Sequence, residues 1–340
     1  MLGVEEKNMN HLYLDDVKKV AMLALPWEKI DGKSLLISGG NGFIGSFLID
    51  VFRYRNNVFN SKIRVYSISR RGGESDDTVM HYICDITKFS NFHERVDYII
   101  HLASNTHPKQ YKEDPVGTIT TNIIGCDNLL KIAKEQKVER FLLASSVEIY
   151  GQGTDSLMDE NYCGYLNCNS FRSGYNEAKR TCETLCQSYL YQYGVNCVIA
   201  RFARVIGPDK KDDTKAMSQF LNCALAKNDI ILKSRGTQRY SFVYIADAVS
   251  GLLTILLNGL LGEAYNVSDD DEGYTLGQYA KLISKFSNTN VIFDIEENDS
   301  VSKATYALIS NKKLKALGWK PRYTISDGLS RTYKIKCESI

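Results

Sequence analysis

The sequence predicts an α/β fold built on a parallel sheet, and three observations carry that expectation. Short, near-continuous apolar runs alternate with helical patterns along the chain, as strands buried on both faces of a parallel sheet require. The first of these runs leads straight into a glycine loop with a helix directly behind it. No internal repeat or low-complexity linker interrupts the alternation.

The elements follow in order. Residues 1–30 read as an N-terminal helical extension, with an amphipathic stretch Leu12–Leu25 followed by Pro26-Trp27. Strands are expected at Leu35–Ser38, Ile63–Ile68, His81–Cys84, Tyr98–Ala103, Phe141–Ser145 and Cys197–Arg201, each an apolar run of strand length. The strongest helices between them are Gly42–Arg55, Gly117–Gln136 and Ser173–Tyr193. After Gly207-Pro208 the signals become less regular, with helices expected at Lys215–Lys227 and Ile245–Leu257. The chain of 340 residues is long enough for a substantial core. It divides into a dinucleotide-binding part over 31–206 and a smaller substrate-binding region over 207–340, interleaved with the first.

Gly39-x-x-Gly42-x-x-Gly45 lies between a strand pattern and a helix pattern, the setting a phosphate-binding loop needs. Missing side chains let the backbone approach a pyrophosphate, and the new helix offers free N–H groups and the positive end of its dipole. The loop predicts a Rossmann-type, doubly wound sheet, with Gly39, Asn41, Gly42, Phe43, Ile44 and Gly45 against the cofactor. Glycines serving only a tight turn are the alternative.

Charge and cysteine usage narrow the remaining classes. Lysine and arginine number 42 against 40 acidic residues, with no basic tail or block, so nucleic acid is not an implied partner. No secretory signal and no apolar run of about 20 residues is present, so a cytoplasmic protein off the membrane is expected. Nine cysteines lack a C-x-x-C pair, which points to reduced thiols and no metal site. Cys182 and Cys186 share one helical face, where packing is expected of them.

Tyr175 and Lys179 are the most telling pair, because residues i and i+4 share one face of a helix. An ammonium beside a phenol favours its ionised form, and such a phenolate can take a proton from a sugar hydroxyl while hydride leaves the same carbon. The same spacing also occurs on a merely solvated helix face. The glycine loop upstream gives the pair its context.

With both motifs in this order, the chain resembles the extended short-chain dehydrogenase/reductases, the NAD-dependent epimerase/dehydratase family acting on nucleotide sugars. Further segments match in sequence, among them Thr121–Gly125, Ala144–Gly151, Arg201–Pro208, Phe242–Asp247 and Leu317-Gly318-Trp319. The resemblance implies that Asp85 and Ile86 lie by the adenine, and that Leu102, Ala103 and Ser104 lie beside the nicotinamide. It implies that Ser146 hydrogen-bonds the reacting sugar oxygen next to Tyr175, and that Lys179 also holds the nicotinamide ribose. It further implies a homodimer through the two long helices, with Leu129, Ile132, Leu185 and Tyr189 as contributors; covering the sheet is their alternative role.

Glu148 bears on the reaction. Members that abstract the sugar C5 proton are similar at this position, whereas simple 4-epimerases usually lack the carboxylate. Dehydratases commonly carry a proton donor where this chain has Val147. The segment Arg172–Thr184 is most similar to UDP-glucuronate decarboxylases, whose β-keto acid loses carbon dioxide without an acid for a leaving group. Decarboxylation is therefore expected, with 4-epimerisation and 4,6-dehydration as alternatives and a catalytically silent dinucleotide-binding protein as the non-enzyme reading.

Three positions depart from the family pattern. Tyr240, beside Arg239, stands where an arginine faces the substrate diphosphate; Arg204 stands where many relatives have asparagine; and Asp209–Asp213 lacks an arginine after Gly-Pro. Arg172, Arg204, Arg239 and Tyr240 are the substrate-binding candidates, and the sugar and base stay open. At the second strand end, Ser69 replaces the acidic residue expected on the adenine ribose, with Arg70 and Arg71 behind it. A 2′-phosphate would pair with those arginines, so NADP is favoured slightly over NAD.

Overall fold

The computed structural model describes residues 9–105, 108–154, 156–209, 215–270, 273–295 and 306–338. In chain order these form α1 (His11–Ala21), β1 (Ser34–Ser38), α2 (Phe43–Phe59), β2 (Arg64–Ser69), β3 (Val79–Ile83), β4 (Tyr98–His101), α3 (Pro108–Glu113), α4 (Pro115–Gln136) and β5 (Arg140–Ser146). There follow α5 (Gly174–Tyr193), β6 (Cys197–Phe202), β7 (Arg204–Ile206), α6 (Ala216–Leu225), β8 (Ile230–Leu232), β9 (Arg239–Tyr240), β10 (Phe242–Tyr244) and α7 (Ile245–Asn258). The last are β11 (Ala264–Val267), α8 (Leu276–Ser287), β12 (Val291–Phe293), β13 (Tyr306–Ala307), α9 (Lys312–Ala316) and α10 (Ile325–Glu338).

Seven strands form one parallel sheet in the order β11-β6-β5-β4-β1-β2-β3. Strand order reverses between β1 and β4, which places a ligand crevice beyond their carboxyl ends. Alternation along β1 sends Leu35 and Ile37 towards Phe47, Val51 and Phe52 of α2 and Leu252 and Leu256 of α7. Leu36 faces the opposite side, with Leu129 and Leu130 of α4 and Cys182 and Cys186 of α5. The sheet is thus covered on both faces, as its apolar strands require. The C-terminal region lends the sheet β11 and α7, and β10 pairs with β7, so the two parts interleave.

The N-terminal extension is fastened into the core. Asn10 caps α1 by accepting from Leu12 N at 2.9 Å, and α1 packs on α2, α7 and α10. Its Asp16 is fully buried and accepts from Tyr244 Oη at 2.7 Å and Tyr323 Oη at 2.5 Å, while Arg331 pairs with it at 2.8 Å.

Several boundaries differ from the sequence reading. α1 stops at Ala21, because the chain must turn before Pro26, and Trp27 opens a single 3₁₀ turn. β3 begins two residues before the expected start, and β4 ends at His101 rather than Ala103. α4 begins at Pro115 because Asp114 caps it, accepting from Gly117 N at 2.9 Å. Leu129 and Ile132, expected at a dimer contact, are buried against the sheet and cannot reach a partner. Leu185 and Tyr189 pack partly on that same core. Cys126, Cys182, Cys186 and Cys197 are buried there together, so packing is what the structure shows for Cys182 and Cys186. Residues 210–213 of the stretch Asp209–Asp213 lie outside the described residues.

Candidate active site

The crevice is walled by backbone. Gly39 leaves β1 with φ +77°, and a Cβ there would come within 2.9 Å of Ala103 N beyond β4, so only glycine fits. A Cβ on Gly45 would meet Gly39 O at 2.4 Å, which lets α2 start hard against the loop. α2 has Gly42 at its N-cap and no side-chain cap, so its first-turn N–H groups face outward for an anion. A dinucleotide pyrophosphate fits that cradle. Asn41 Nδ2 donates to Ser69 Oγ at 3.1 Å and Arg71 O at 2.7 Å, tying the loop to the end of β2. Arg70 reaches Asn105 Oδ1 at 3.1 Å. Ile44 is half-buried at the first turn of α2, and the Phe43 ring lies where a Cβ on Gly207 would approach it to 2.8 Å.

The far wall comes from β3 and β4. Asp85 accepts from Thr87 N at 2.9 Å and Thr87 Oγ1 at 2.8 Å, and these bonds hold its carboxyl below the usual range. Ile86 is buried under Gly125 of α4. Ser38 Oγ sits 2.7 Å from His101 Nδ1 and accepts from Ala103 N at 3.2 Å, fixing the backbone that leads to Leu102 and Ser104. Burial pushes His101 down to about 4, so its ring is neutral at physiological pH.

Beyond β5, Ser146 caps the 3₁₀ turn Val147–Tyr150, its Oγ accepting from Glu148 N at 3.2 Å. α5 carries Tyr175 and Lys179 alongside, both buried. Hydrogen bonds to Ser146 and Ser104 lower the Tyr175 phenol, but burial dominates and the Glu148 carboxylate adds to it, so the pKa stands well above the ordinary value. Lys179 Nζ donates to Ala144 O at 2.9 Å and lies 5.9 Å from the Tyr175 ring centroid. Burial pushes the Lys179 ammonium down. Lys179 and Tyr175 thus share one face of α5, and the ammonium is also held by the β5 carbonyl.

A second group adjoins the first. Arg204 Nη2 pairs with Glu148 Oε1 at 3.3 Å, and its guanidinium lies 3.9 Å over the Tyr240 ring. Asn176 Nδ2 donates to Glu148 O at 2.7 Å and to Oε2 at 3.3 Å. The fold thus gathers Ser146, Glu148, Tyr175, Lys179, Arg204 and Tyr240. Arg172, in the 3₁₀ turn that leads into α5, and Arg239 are exposed, Arg239 beside Tyr240 on a strand whose neighbours point to opposite sides. Sequence reasoning missed Asn176, next to Tyr175, and Tyr111, whose ring stacks on Tyr175 at 4.9 Å with 18° between planes.

A glycine cradle at the switch point, with a serine, tyrosine and lysine at adjoining strand ends, defines a Rossmann-class dinucleotide-binding protein. The model of the NAD dependent epimerase/dehydratase family matches residues 35–268, and the chain belongs to that family. UDP-glucuronic acid decarboxylase 1 of Danio rerio is 30% identical over 97% of this chain and 79% of its own length. UDP-glucuronic acid decarboxylase 5 of Arabidopsis thaliana is 33% identical over 87% of this chain and 86% of its own. Among solved structures, UDP-glucuronic acid 4-epimerase from Bacillus cereus, in complex with UDP-glucuronic acid and NAD, superposes with TM-score 0.78 at 22% identity, covering 90% of this chain and 100% of that one. The dTDP-glucose 4,6-dehydratase of Streptomyces venezuelae, with NAD and TYD bound, gives TM-score 0.78 at 22% identity over 90% of this chain and 97% of that one.

Proposed function

We propose that the chain is a nicotinamide-dependent nucleotide-sugar enzyme that decarboxylates a nucleotide-linked glucuronic acid through a transient 4-keto sugar. The placement of Glu148 beside Ser146 and Tyr175 carries this reading, and the decarboxylase relatives support it. The dinucleotide, when bound, takes hydride from sugar C4 and later returns it. Ser146 and Tyr175 hold the C4 hydroxyl, and Tyr175 removes its proton as the ketone forms. The resulting β-keto acid loses carbon dioxide, and C5 then gains a proton with Glu148 alongside. Lys179 fixes the β5 carbonyl at the base of the site and braces α5.

The experiment is turnover of UDP-glucuronate in heavy water with mass spectrometry of the product. A pentose product carrying one deuterium at C5 is expected. A product isomeric with the substrate and unlabelled at C5 would instead establish 4-epimerisation. That second reading is favoured by the Arg204 pairing, which gives Glu148 a structural occupation.

Ser69, Arg70 and Arg71 support a slight preference for NADP, against relatives whose structures hold NAD. Titration showing tighter NAD than NADP would overturn it. Val116, Ile119 and Ile124 of α4 and Tyr191 of α5 are exposed, and they support a homodimer across those helices in place of the buried Leu129 and Ile132. A monomeric mass by light scattering at micromolar protein would refute it. The described residues contain no helix long and apolar enough to cross a membrane. Nine free cysteines suit a reducing compartment, and we place the protein in the cytoplasm. The division at 206/207 into dinucleotide and substrate regions is part of this reading, with the β7–β10 ladder joining the two parts and β11 returning to the main sheet.

A further inference from the structure

One guanidinium atom in the site lacks an acceptor. Arg204 Nη2 is engaged with Glu148, but its Nη1 is buried and has no hydrogen-bond partner among the described residues. A charged donor left unpaired in a buried position is costly, so such an atom calls for an acceptor. The Tyr240 ring beneath the guanidinium, at 3.9 Å, discourages it from swinging out to solvent. Asn176 fixes the other oxygen of Glu148, so the carboxylate cannot turn to satisfy Nη1. The residues around it therefore hold a cationic fork with one prong free.

We infer that Arg204 Nη1 binds the carboxylate of a uronic-acid nucleotide sugar, and so selects this substrate class over neutral sugars. The inference rests on the proposed nucleotide-sugar function and adds the residue that reads the sugar's charge. Arg204 has a second effect. An incoming carboxylate would meet Glu148 as a like charge, and the guanidinium between the two offsets that repulsion. Tyr240 contributes a platform and no charge, so selectivity rests on Arg204 alone of this pair.

The test is calorimetric titration of wild-type, Arg204→Gln and Arg204→Lys protein with UDP, UDP-glucose and UDP-glucuronate, each with NAD present. A charge-assisted hydrogen bond predicts that Arg204→Gln weakens UDP-glucuronate roughly 10- to 100-fold. UDP and UDP-glucose should bind this variant as they bind wild type, which also shows that it folds. Arg204→Lys, with its charge but no fork, should fall between. Equal weakening of all three ligands would assign Nη1 to the diphosphate and overturn the inference, as would unchanged UDP-glucuronate affinity. If wild-type protein does not prefer UDP-glucuronate to UDP-glucose, the proposed function fails first and the inference falls with it.

Discussion

Removing the Asp16 carboxylate should unfasten the N-terminal helix from the core. The group is fully buried and serves Tyr244 Oη, Tyr323 Oη and Arg331 together. Asp16→Ala leaves two tyrosine hydroxyls without their acceptor and leaves Arg331 only Asp15, at 2.9 Å, as a carboxylate partner. Breaking a buried ion pair from one side costs about 3–5 kcal/mol, because the remaining charge stays uncompensated. Asp16→Asn keeps an acceptor and should cost about 1–2 kcal/mol. Urea unfolding followed by tryptophan fluorescence is a suitable assay, since Trp27 opens the 3₁₀ turn after α1 and packs with Val17, Val20 and Trp319 in the same core. Adding Arg331→Met to Asp16→Ala should recover part of the loss, because it removes the orphaned charge. A loss below about 1 kcal/mol for Asp16→Ala, or strict additivity in the double variant, would refute the account.

Three further outcomes are expected. Tyr175→Phe should abolish turnover and cofactor reduction alike, whereas Glu148→Gln should still reduce cofactor on mixing with substrate, seen as nicotinamide absorbance, and stall at or release a 4-keto sugar. Gly39→Ala should weaken dinucleotide binding at least about tenfold by direct titration, because the left-handed backbone alone costs about 1–2 kcal/mol and the Cβ also strikes Ala103. Burial raises Asp247 to about 7 in the folded chain, so the folded state holds its proton more tightly than the unfolded one. Its stabilising contribution is then full below about pH 4 and is lost as pH rises towards 7, a fall on the order of 4 kcal/mol. Asp247→Asn should flatten the pH dependence of the urea midpoint over that window.

The readable parts of the chain were those whose constraint is local. β1, β4, β5 and β6 are buried on both faces, so their apolar runs could be located to within a residue or two. β3 is an edge strand with Met80 and Ile83 exposed, and its mixed pattern displaced the expected start. β7 to β10, β12 and β13 are two or three residues long, too short for any period to show. The start of α4 was legible in Asp114-Pro115, a capping residue followed by a proline at the first helical position, but periodicity alone placed it at Gly117. The clamp of Asp16 on Tyr244, Tyr323 and Arg331 joins the two ends of the chain, and no spacing rule reports contacts at such separation.

The same distinction governs the site. Helical spacing correctly set Tyr175 and Lys179 on one face, but it could not tell where the ammonium would find its acceptor. That acceptor is Ala144 O of β5, a partner fixed by how α5 lies on the sheet. Most of the side chains that adjust the Tyr175 phenol come from other elements: Ser146 at the end of β5, Glu148 just beyond it, and Ser104 after β4. Glu148 in turn is set by Arg204 and Asn176. Burial and the Glu148 carboxylate both raise the phenol, so charge arriving with the ligands bears on its readiness as a base. Exchanging Glu148 or Arg204 should accordingly move the pH profile of the reaction, because each changes the charge balance beside a phenol shielded from water.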